Sequence, residues 1–305
     1  MLGKLKEDEK FMHTVEKEKK NFIVVGGDSF LGTSLISQLK DQGHNVVSTT
    51  RRKDALSFDK VFLDIRESDN FKISEGVDCV FIVAGVTNYG QCETDPEAWG
   101  VNVEAIPHLA SRFLKAGSFV YFISTNSVFG GDHPWPGEDD LHYPNIAYSR
   151  QKSESEVAIR NHAKKLGYLH QLAIVRLTKI VAPGTLPFPQ WIEDWGNGQI
   201  VTPFEDLIFA PISLGFVARS LATLGENPLA GNFHLSGTKN ITYCDFARAL
   251  AKKMGFPDSL ISPTTSLIKG IKVLYLPKYS GIGMEKTSKL TGIAPESLDS
   301  VVATF

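Results

Sequence analysis

The side chains best suited to acid–base chemistry in this sequence are Tyr148 and Lys152, four residues apart in Ala-Tyr-Ser-Arg-Gln-Lys. In a helix this spacing places the phenol and the ammonium on one face, one turn apart. A free phenol has a pKa of about 10 and donates protons poorly near neutral pH. A neighbouring cation favours the phenolate, so the pair predicts a phenol tuned to exchange a proton with a substrate oxygen. A chance pair on a solvated helix is the alternative, and it holds unless other features of the chain agree.

A glycine turn near the start of the chain has the order that dinucleotide binding requires. Residues 22–25 form an apolar run typical of a central parallel strand, and the segment from Gly26 to Gly32 leads into a helical pattern. Gly26 permits a tight turn and Gly32 lets helix and strand pack closely, while the helix amides attract a pyrophosphate. Ser29 stands where a glycine is usual, and it fits if its side chain points away from the phosphates or hydrogen-bonds to them. A plain strand–helix connection is the alternative.

The end of the second predicted strand bears on the choice of cofactor. Residues 45–50 form that strand, and the chain then runs into Arg51, Arg52 and Lys53 without an acid. An NAD site usually carries an acid here for the ribose 2′-hydroxyl, whereas guanidinium groups suit a 2′-phosphate. The pattern predicts NADP(H) in preference to NAD(H), with a solvated basic turn as the alternative.

The rest of the chain alternates apolar strands with helical segments. Strands are predicted over 61–63, 79–83, 119–123 and 172–177, and helices over 95–114 and 145–166. This alternation predicts an α/β fold with a doubly wound parallel sheet. Ligands of such sheets bind beyond the carboxyl ends of the strands. Five residues lie at such ends: Gly26, Arg51, Asp64, Ala84 and Thr125.

Length and composition bound the class of protein. The chain has 305 residues and a formal charge of −2, which offers no general attraction to nucleic acid or to an anionic membrane. No apolar run approaches the ~20 residues of a membrane span. Residues 1–20, with six lysines and five acids, form a charged N-terminal extension without a signal-peptide core. Cys79, Cys92 and Cys244 form no disulfide or metal pattern, so no metal is predicted and a cytoplasmic location is expected.

Four motifs together resemble the extended short-chain dehydrogenase/reductase superfamily. They are the turn from Gly26 to Gly32, Asp64, the run Ser-Thr-Asn-Ser-Val-Phe-Gly at residues 124–130, and Tyr148-x3-Lys152. Within the superfamily, residues 124–156 are most similar to the dTDP-4-dehydrorhamnose reductase, or sugar-nucleotide-binding, branch.

The resemblance extends over roughly residues 21–300. It implies a Rossmann-like dinucleotide-binding domain over residues 21–180. Residues 181–305 are then mainly a smaller C-terminal substrate-binding lobe, with some segments returning to the Rossmann-like domain.

The resemblance also implies a role for each matching residue. Tyr148 is expected to donate a proton to a substrate ketone, Thr125 to hydrogen-bond the reacting oxygen, and Lys152 to hold the nicotinamide ribose. Two donors aimed at a carbonyl oxygen stabilise the negative charge that hydride addition develops there. The expected cofactor-binding residues are Gly26, Asp28, Ser29, Phe30, Leu31, Arg51, Arg52, Asp64, Ile65, Ala84, Gly85 and Lys152, with Asp64 on the adenine amino group. The expected substrate-binding residues are Thr87, Asn126, Lys179 and Trp191.

Alternatives stay open for two of these residues and for Thr125. Trp191 equally suits a small core between the lobes, and Lys179 suits a plain surface position. The Thr125 hydroxyl suits a local contact with the backbone at its strand end.

The two residues after Thr125 bear on the reaction. Related 4,6-dehydratases carry an Asp–Glu pair there, and the epimerase-reductases that make GDP-fucose place a cysteine where Ser127 stands. This chain has Asn126 and Ser127, an amide and a hydroxyl that cannot supply that acid–base work near neutral pH. The predicted function is therefore NADPH-dependent reduction of a keto group on a nucleotide-activated sugar, in polysaccharide biosynthesis.

Two alternatives to this function remain, and one expectation concerns assembly. The chain is otherwise a nucleotide-sugar epimerase of the same superfamily, or a non-catalytic NADP-binding regulatory subunit resembling that of methionine adenosyltransferase. A nucleotide sugar is the expected small-molecule partner, and a homodimer is the expected assembly.

Overall fold

Short apolar strands alternate with amphipathic helices along the chain. The computed structural model describes residues 18–305, so the predicted extension lies outside the described residues up to residue 17. Within that range the strands are β1 Asn21–Val25, β2 Asn45–Thr50, β3 Lys60–Phe62, β4 Cys79–Ile82, β5 Phe119–Thr125, β6 Leu172–Leu177, β7 Lys179–Val181, β8 Ile208–Phe209, β9 Pro211–Ser213, β10 Gly231–Leu235 and β11 Ile241–Thr242. The α-helices there are α1 Phe30–Asp41, α2 Tyr89–Thr94, α3 Pro96–Trp99, α4 Ile106–Lys115, α5 Ala147–Leu166, α6 Phe188–Gly196, α7 Leu214–Glu226, α8 Tyr243–Met254, α9 Glu285–Thr291 and α10 Leu298–Val302.

The central sheet has seven parallel strands in the order β10-β6-β5-β4-β1-β2-β3. The order of strands reverses between β1 and β4, which makes the crevice beyond their carboxyl ends the expected ligand site. The register aligns those ends, since Val25 of β1 pairs with Ile82 of β4 and Thr125 of β5 with Leu177 of β6. The predicted α/β fold with a doubly wound sheet is confirmed.

Helices cover both faces of this sheet because its strands are apolar on both sides. Helices α1 and α7 pack together on one face, and α4 and α5 pack together on the other. On the first face the rings of Phe22, Phe81 and Tyr121 form a stack, with centroid separations of 6.0 and 4.7 Å. Each such buried side chain contributes about 1.5–3 kcal/mol. The result is a rigid platform beneath the carboxyl edge of the sheet.

Helix α5 carries Tyr148 and Lys152 on its buried face. Glu156, Ile159 and Ala163 continue that face at helical spacing, and the helix ends at Gly167 with a left-handed φ of 82°. The prediction placed its start at residue 145, two residues too early. Asn145 instead donates its side-chain amide to the Gly130 carbonyl at 3.1 Å, which keeps the chain extended before the helix.

The helix predicted over residues 95–114 is interrupted. Between α3 and α4 the segment Gly100–Ala105 is a π-helix, in which the Ile106 N–H donates to the Val101 carbonyl five residues back. Pro107 follows directly and has no N–H, so it donates no hydrogen bond to this stretch of the ladder. The wider turn presents Asn102 to the loop after β4, described with the site below.

Residues after β6 build a second, smaller core. Strand β7 pairs with β9 and β8 with β11, while β10 joins the central sheet beside β6. The second core contains Phe188, Trp191, Trp195, Phe209 and Phe246. No helix formed by residues 18–305 has both the length and the apolar character needed to cross a bilayer.

Candidate active site

The glycine positions in the turn after β1 leave no room for a side chain. Gly26 has a φ of 94°, and a Cβ added there would lie 2.9 Å from the Ala84 Cβ. A Cβ on Gly32 would lie 2.3 Å from the Gly26 carbonyl oxygen. Ser29 caps α1, because its Oγ accepts from the Gly32 N–H at 3.0 Å and donates to the Gly26 carbonyl at 2.8 Å. The serine side chain is therefore used by the turn itself, which leaves the first amides of α1 for an anion.

A cleft of about 920 Å³ follows the turn along the carboxyl edge of the sheet. Its size, the glycine cradle and the helix amides fit a dinucleotide. Ten of the predicted residues line it: Gly26, Asp28, Ser29, Arg51, Arg52, Asp64, Ile65, Ala84, Gly85 and Thr87. Phe30, Leu31 and Lys152 are not among the lining residues, and neither are Thr125 and Tyr148. Phe30 is exposed and Leu31 packs against the main core. What these two offer a ligand is their backbone amides at the start of α1.

Charged side chains gather where β2 ends. The Asp28 carboxylate accepts hydrogen bonds from the Thr50 hydroxyl, from Arg52 at 3.2 Å and from Lys60 at 3.1 Å. The Thr50 hydroxyl, followed by Lys60 and Arg52, lowers the pKa of Asp28 to about 2. Arg52, expected to be available to a phosphate, is thus already paired. The Arg51 side chain, in contrast, makes no hydrogen bond or ion pair with any residue in the range 18–305.

Asp64 closes the other side of the cleft. It begins a short 3₁₀ turn, and its carboxylate accepts from the Arg66 N–H and, at 2.7 Å, from the Arg66 guanidinium. The Arg66 side-chain hydrogen bond, the largest effect, lowers the pKa of Asp64. Arg66 itself lines the cleft. Sequence reasoning missed this arginine, because a basic residue two positions after an acid is a common surface pattern.

Tyr148 and Thr125 face each other at the end of β5. Each is only 8% exposed, and the Thr125 hydroxyl accepts from the Ser127 N–H at 3.2 Å. Burial raises the pKa of Tyr148, and the Tyr89 phenol raises it further, while hydrogen bonding by the Thr125 hydroxyl opposes the rise. The prediction that the Tyr148 pKa is lowered is therefore wrong in direction. The phenol stays protonated near neutral pH, which suits a proton donor.

Lys152 lies deeper in the protein than the spacing rule implied. Its ammonium donates to the Ile123 carbonyl at 2.7 Å and lies 4.1 Å from the Phe122 ring centroid. Burial lowers the pKa of Lys152 to about 8. The i, i+4 spacing correctly gives the helix face shared with Tyr148, but the side-chain direction is set by the strand beneath.

A buried ion pair supports this part of the site. Ser124 donates to Glu156 at 2.5 Å, and the Arg176 guanidinium binds the same carboxylate at 2.7 Å. Burial raises the pKa of Glu156, but the Arg176 hydrogen bond and charge outweigh burial and hold it below its usual value. The pair connects β5, α5 and β6 behind Thr125 and Tyr148, so it fixes the relative positions of their backbones.

An amide braces the loop between Ala84 and Thr87. Asn102 accepts from the Val86 N–H at 2.9 Å, donates to the Val86 carbonyl at 2.9 Å and donates to Gln151 at 2.8 Å. Gly85 has a φ of 157°, and a Cβ there would lie 3.2 Å from the Asn102 Oδ1. The loop that lines the cleft is thus held to α5.

The predicted substrate residues have different surroundings. Thr87 lines the cleft, and Lys179 lies two residues beyond Leu177, the register partner of Thr125. Lys179 is exposed at the start of β7, which favours its alternative as a plain surface residue. Asn126 donates its amide to the Ser280 carbonyl at 2.8 Å, so it anchors a C-terminal segment.

Trp191 packs inside the C-terminal lobe. Its ring lies 5.5 Å from Phe188, 6.2 Å from Trp195 and 6.5 Å from Tyr243, and the residue is 8% exposed. These contacts favour the alternative in which the indole fills a core.

Two tyrosines beside Tyr148 carried no signal in the sequence. The Tyr89 ring lies 5.1 Å from the Tyr148 ring, and Tyr275 meets Tyr89 edge-on at 6.1 Å. The Tyr275 hydroxyl is buried without a hydrogen-bond partner among residues 18–305. No motif contains either residue, and only the fold brings Tyr275 back to α5.

Comparison with known proteins agrees with this geometry. Residues 20–305 match the family described as the RmlD substrate binding domain. A probable low-salt glycan biosynthesis reductase, Agl14, of Haloferax volcanii is 28% identical over 247 residues, which cover 78% of this chain and 81% of the relative. Methionine adenosyltransferase 2 subunit beta of Rattus norvegicus is 23% identical over 263 residues, which cover 80% and 75%. The structure of a dTDP-4-dehydrorhamnose reductase from Bacillus anthracis in complex with NADP has a TM-score of 0.78 at 19% identity, and the match covers 94% of this chain and 99% of that one.

Proposed function

Because the chain belongs to the RmlD substrate binding domain family, we propose that it reduces a keto group on a nucleotide-activated sugar with a nicotinamide cofactor, NADP(H) in preference to NAD(H). Membership confirms the resemblance read from the motifs. The observation that carries the proposal is that Tyr148, whose pKa the Thr125 hydroxyl influences by hydrogen bonding, packs in one cluster with Val86, which lines a cleft that fits a dinucleotide. The reductase of Bacillus anthracis with NADP and the glycan biosynthesis reductase of Haloferax volcanii support the same reaction class.

In the reaction this chain must donate a proton to the substrate oxygen and stabilise the charge that develops on it. A bound reduced nicotinamide supplies the hydride, and negative charge then develops on the substrate oxygen. Tyr148, held protonated by burial, donates its proton to that oxygen, and Thr125 donates a hydrogen bond to it. Lys152 donates one N–H to the Ile123 carbonyl, and one of its two remaining ammonium donors would hold a ribose hydroxyl near the phenol. The low exposure of Thr125 and Tyr148 limits competition from water.

In this proposal the two parts of the chain divide the work. Residues 21–180 bind the cofactor, and the lobe over residues 181–305 holds the sugar nucleotide. Every residue lining the cleft lies between Gly26 and Val101, in agreement with the first half of this division.

The free, buried state of Cys79, Cys92 and Cys244 supports a cytoplasmic location. A homodimer is part of the proposal, and analytical ultracentrifugation tests it.

Arg51 provides a test of the cofactor preference. Arg51→Ala should weaken NADPH binding by about tenfold, the scale of one charge-assisted contact, and leave NADH binding nearly unchanged. Fluorescence titration of the two reduced cofactors measures both Kd values. Arg248→Ala, which removes an exposed guanidinium in the C-terminal lobe, is the control. Equal losses for NADPH and NADH would contradict a 2′-phosphate contact.

Lys152 gives the site a pH dependence. Since burial lowers its pKa to about 8, affinity for the reduced cofactor should fall as pH rises through about 8, because the ammonium loses its charge. Lys152→Arg keeps its charge over this range and should remove that step. The effect on stability has the opposite sign. The unfolded chain binds the extra proton between about 8 and the ordinary value of 10.5, so the Lys152 contribution to stability rises with pH in that interval. A titration of Kd against pH that is flat around 8 would contradict the assignment.

The function itself is tested by turnover. The purified protein should oxidise NADPH when mixed with one member of a panel of 4-keto nucleotide sugars, and the product should carry a hydroxyl at the former ketone. A specific observation also favours a second candidate, a non-catalytic subunit, since methionine adenosyltransferase 2 subunit beta is a relative. Binding of NADPH without turnover of any sugar, together with a co-purifying partner enzyme, would favour that candidate instead.

A further inference from the structure

A carboxylate from another part of the chain, that of Asp28, lies at the end of β2. The rule for NAD sites looks for an acid at this strand end, and β2 is followed by Arg51 and Arg52 instead. The structure delivers the acid from the glycine turn, since Asp28 accepts a hydrogen bond from the hydroxyl of Thr50, the last residue of β2. Thus Asp28 occupies the end of β2 on the cleft side, where the fold places the ribose-binding acid.

The surroundings of Asp28 combine one negative and two positive charges. Arg52 approaches it at 3.2 Å and Lys60 at 3.1 Å, and its side chain is 29% exposed. The carboxylate stays ionised across the working pH range, because these partners and Thr50 hold its pKa at about 2. Asp28 therefore both offers an acceptor and neutralises part of the basic patch.

These charges act differently on the two nicotinamide cofactors. A ribose 2′-hydroxyl donates a hydrogen bond to an ionised carboxylate, and such charge-assisted bonds are the stronger kind. A 2′-phosphate is repelled by the same carboxylate and must take Arg52 and Lys60 from it before it can use them. Arg51, whose charge acts on Asp64 across the cleft but which makes no hydrogen bond or ion pair among residues 18–305, attracts the phosphate in either case.

We propose that Asp28 sets the cofactor selectivity of this site, by accepting the 2′-hydroxyl of NAD(H) and by withholding Arg52 and Lys60 from the 2′-phosphate of NADP(H). The inference rests on the proposed use of a nicotinamide cofactor and goes beyond it, because it makes the preference for NADP(H) a partial one that a single charge restrains. The chain then binds both cofactors.

A purely structural role for Asp28 makes a different prediction. In that case its hydrogen bond to Thr50 holds the glycine turn against β2, and its charge has no effect on the choice of cofactor. Asp28→Asn keeps one oxygen that accepts from Thr50, removes the charge, and replaces the oxygen that binds Arg52 and Lys60 with an NH2 donor, which releases both cations. The asparagine variant therefore separates selectivity from scaffolding, because loss of scaffolding weakens both cofactors alike.

The test measures Kd for NADPH and NADH by fluorescence titration on the wild-type protein and on Asp28→Asn. Asp59→Asn is the matched control, because Asp59 is also an ion-paired carboxylate with a pKa held at about 2, bound to Lys40 and outside the cleft lining. The ratio of Kd for NADH to Kd for NADPH should rise by about tenfold in Asp28→Asn, the scale of one neighbouring charge. The Asp59→Asn ratio should equal that of the wild type.

A second variant reports the opposite change and does not depend on the folding of the first. Lys60→Met removes one cation from Asp28. The ratio of Kd for NADH to Kd for NADPH should therefore fall, which means a relative gain for NADH. An unchanged ratio in both variants, or shifts opposite to these, would overturn the role of Asp28 while leaving cofactor use intact. Failure of the wild-type protein to bind either cofactor would contradict the proposed function itself, and the inference with it.

Discussion

Tyr148→Phe is expected to reduce turnover by about 10²–10⁴-fold, the usual contribution of a positioned general acid, with little change in the Kd for reduced cofactor. The phenylalanine ring keeps the packing against Tyr89, whose ring lies 5.1 Å away, so the fold of the site is retained. Only the donated proton is lost. Steady-state oxidation of NADPH with the sugar nucleotide measures the rate, and fluorescence titration measures the Kd.

Tyr143→Phe is the matched control for this variant. Tyr143 lies in the loop before α5 and is 60% exposed, so removing its hydroxyl should leave turnover unchanged. Preserved activity in Tyr148→Phe would remove the phenol from the mechanism. A parallel loss of cofactor binding would indicate a collapsed site instead of a missing donor.

Arg176→Met is expected to lower the free energy of unfolding by about 3–5 kcal/mol, since it leaves a buried carboxylate without its counter-charge. Glu156 is fully buried, and the Arg176 guanidinium binds it at 2.7 Å. The His142 imidazole lies 3.5 Å from the same carboxylate, and burial lowers the pKa of that histidine. Urea unfolding followed by circular dichroism measures the change. The double variant Arg176→Met/Glu156→Gln should recover part of the loss, because the uncompensated charge is gone.

Lys286→Met provides the comparison with an exposed pair. Lys286 binds Asp139 at 2.9 Å near the surface, where breaking an ion pair costs only about 0–1 kcal/mol. A loss in Arg176→Met as small as this, or a double variant less stable than the single one, would contradict the role assigned to the buried pair.

The sequence predicted best those features whose residues are close together in the chain. The turn from Gly26 to Gly32 is one example, because steric limits on glycine act over a few residues. The expectation that Thr125 and Tyr148 lie near each other came from their positions at the ends of secondary-structure elements. One ends a parallel strand and the other begins the next long helix, and the carboxyl ends of the strands share one edge.

The features that sequence reasoning missed depend on register and on side-chain direction. Asp28 meets Arg52 and Lys60 only because β1, β2 and β3 lie side by side, and no pattern along the chain encodes that meeting. The Tyr148 pKa was predicted in the wrong direction for a related reason. Spacing defines the helix face that Lys152 shares, but the Ile123 carbonyl and burial decide where its ammonium points. Tyr275 reaches the site from a segment without any recognisable motif.

The most direct measurement is the transfer of deuterium from NADPH labelled at the nicotinamide C4 to a 4-keto nucleotide sugar. We expect the wild-type protein to place the label on the former carbonyl carbon, as seen by nuclear magnetic resonance of the product. The Tyr148→Phe and Thr125→Val variants should bind the labelled cofactor but transfer little deuterium to the sugar. A wild-type protein that binds both ligands and leaves every sugar unlabelled would contradict hydride transfer to a sugar ketone by this protein.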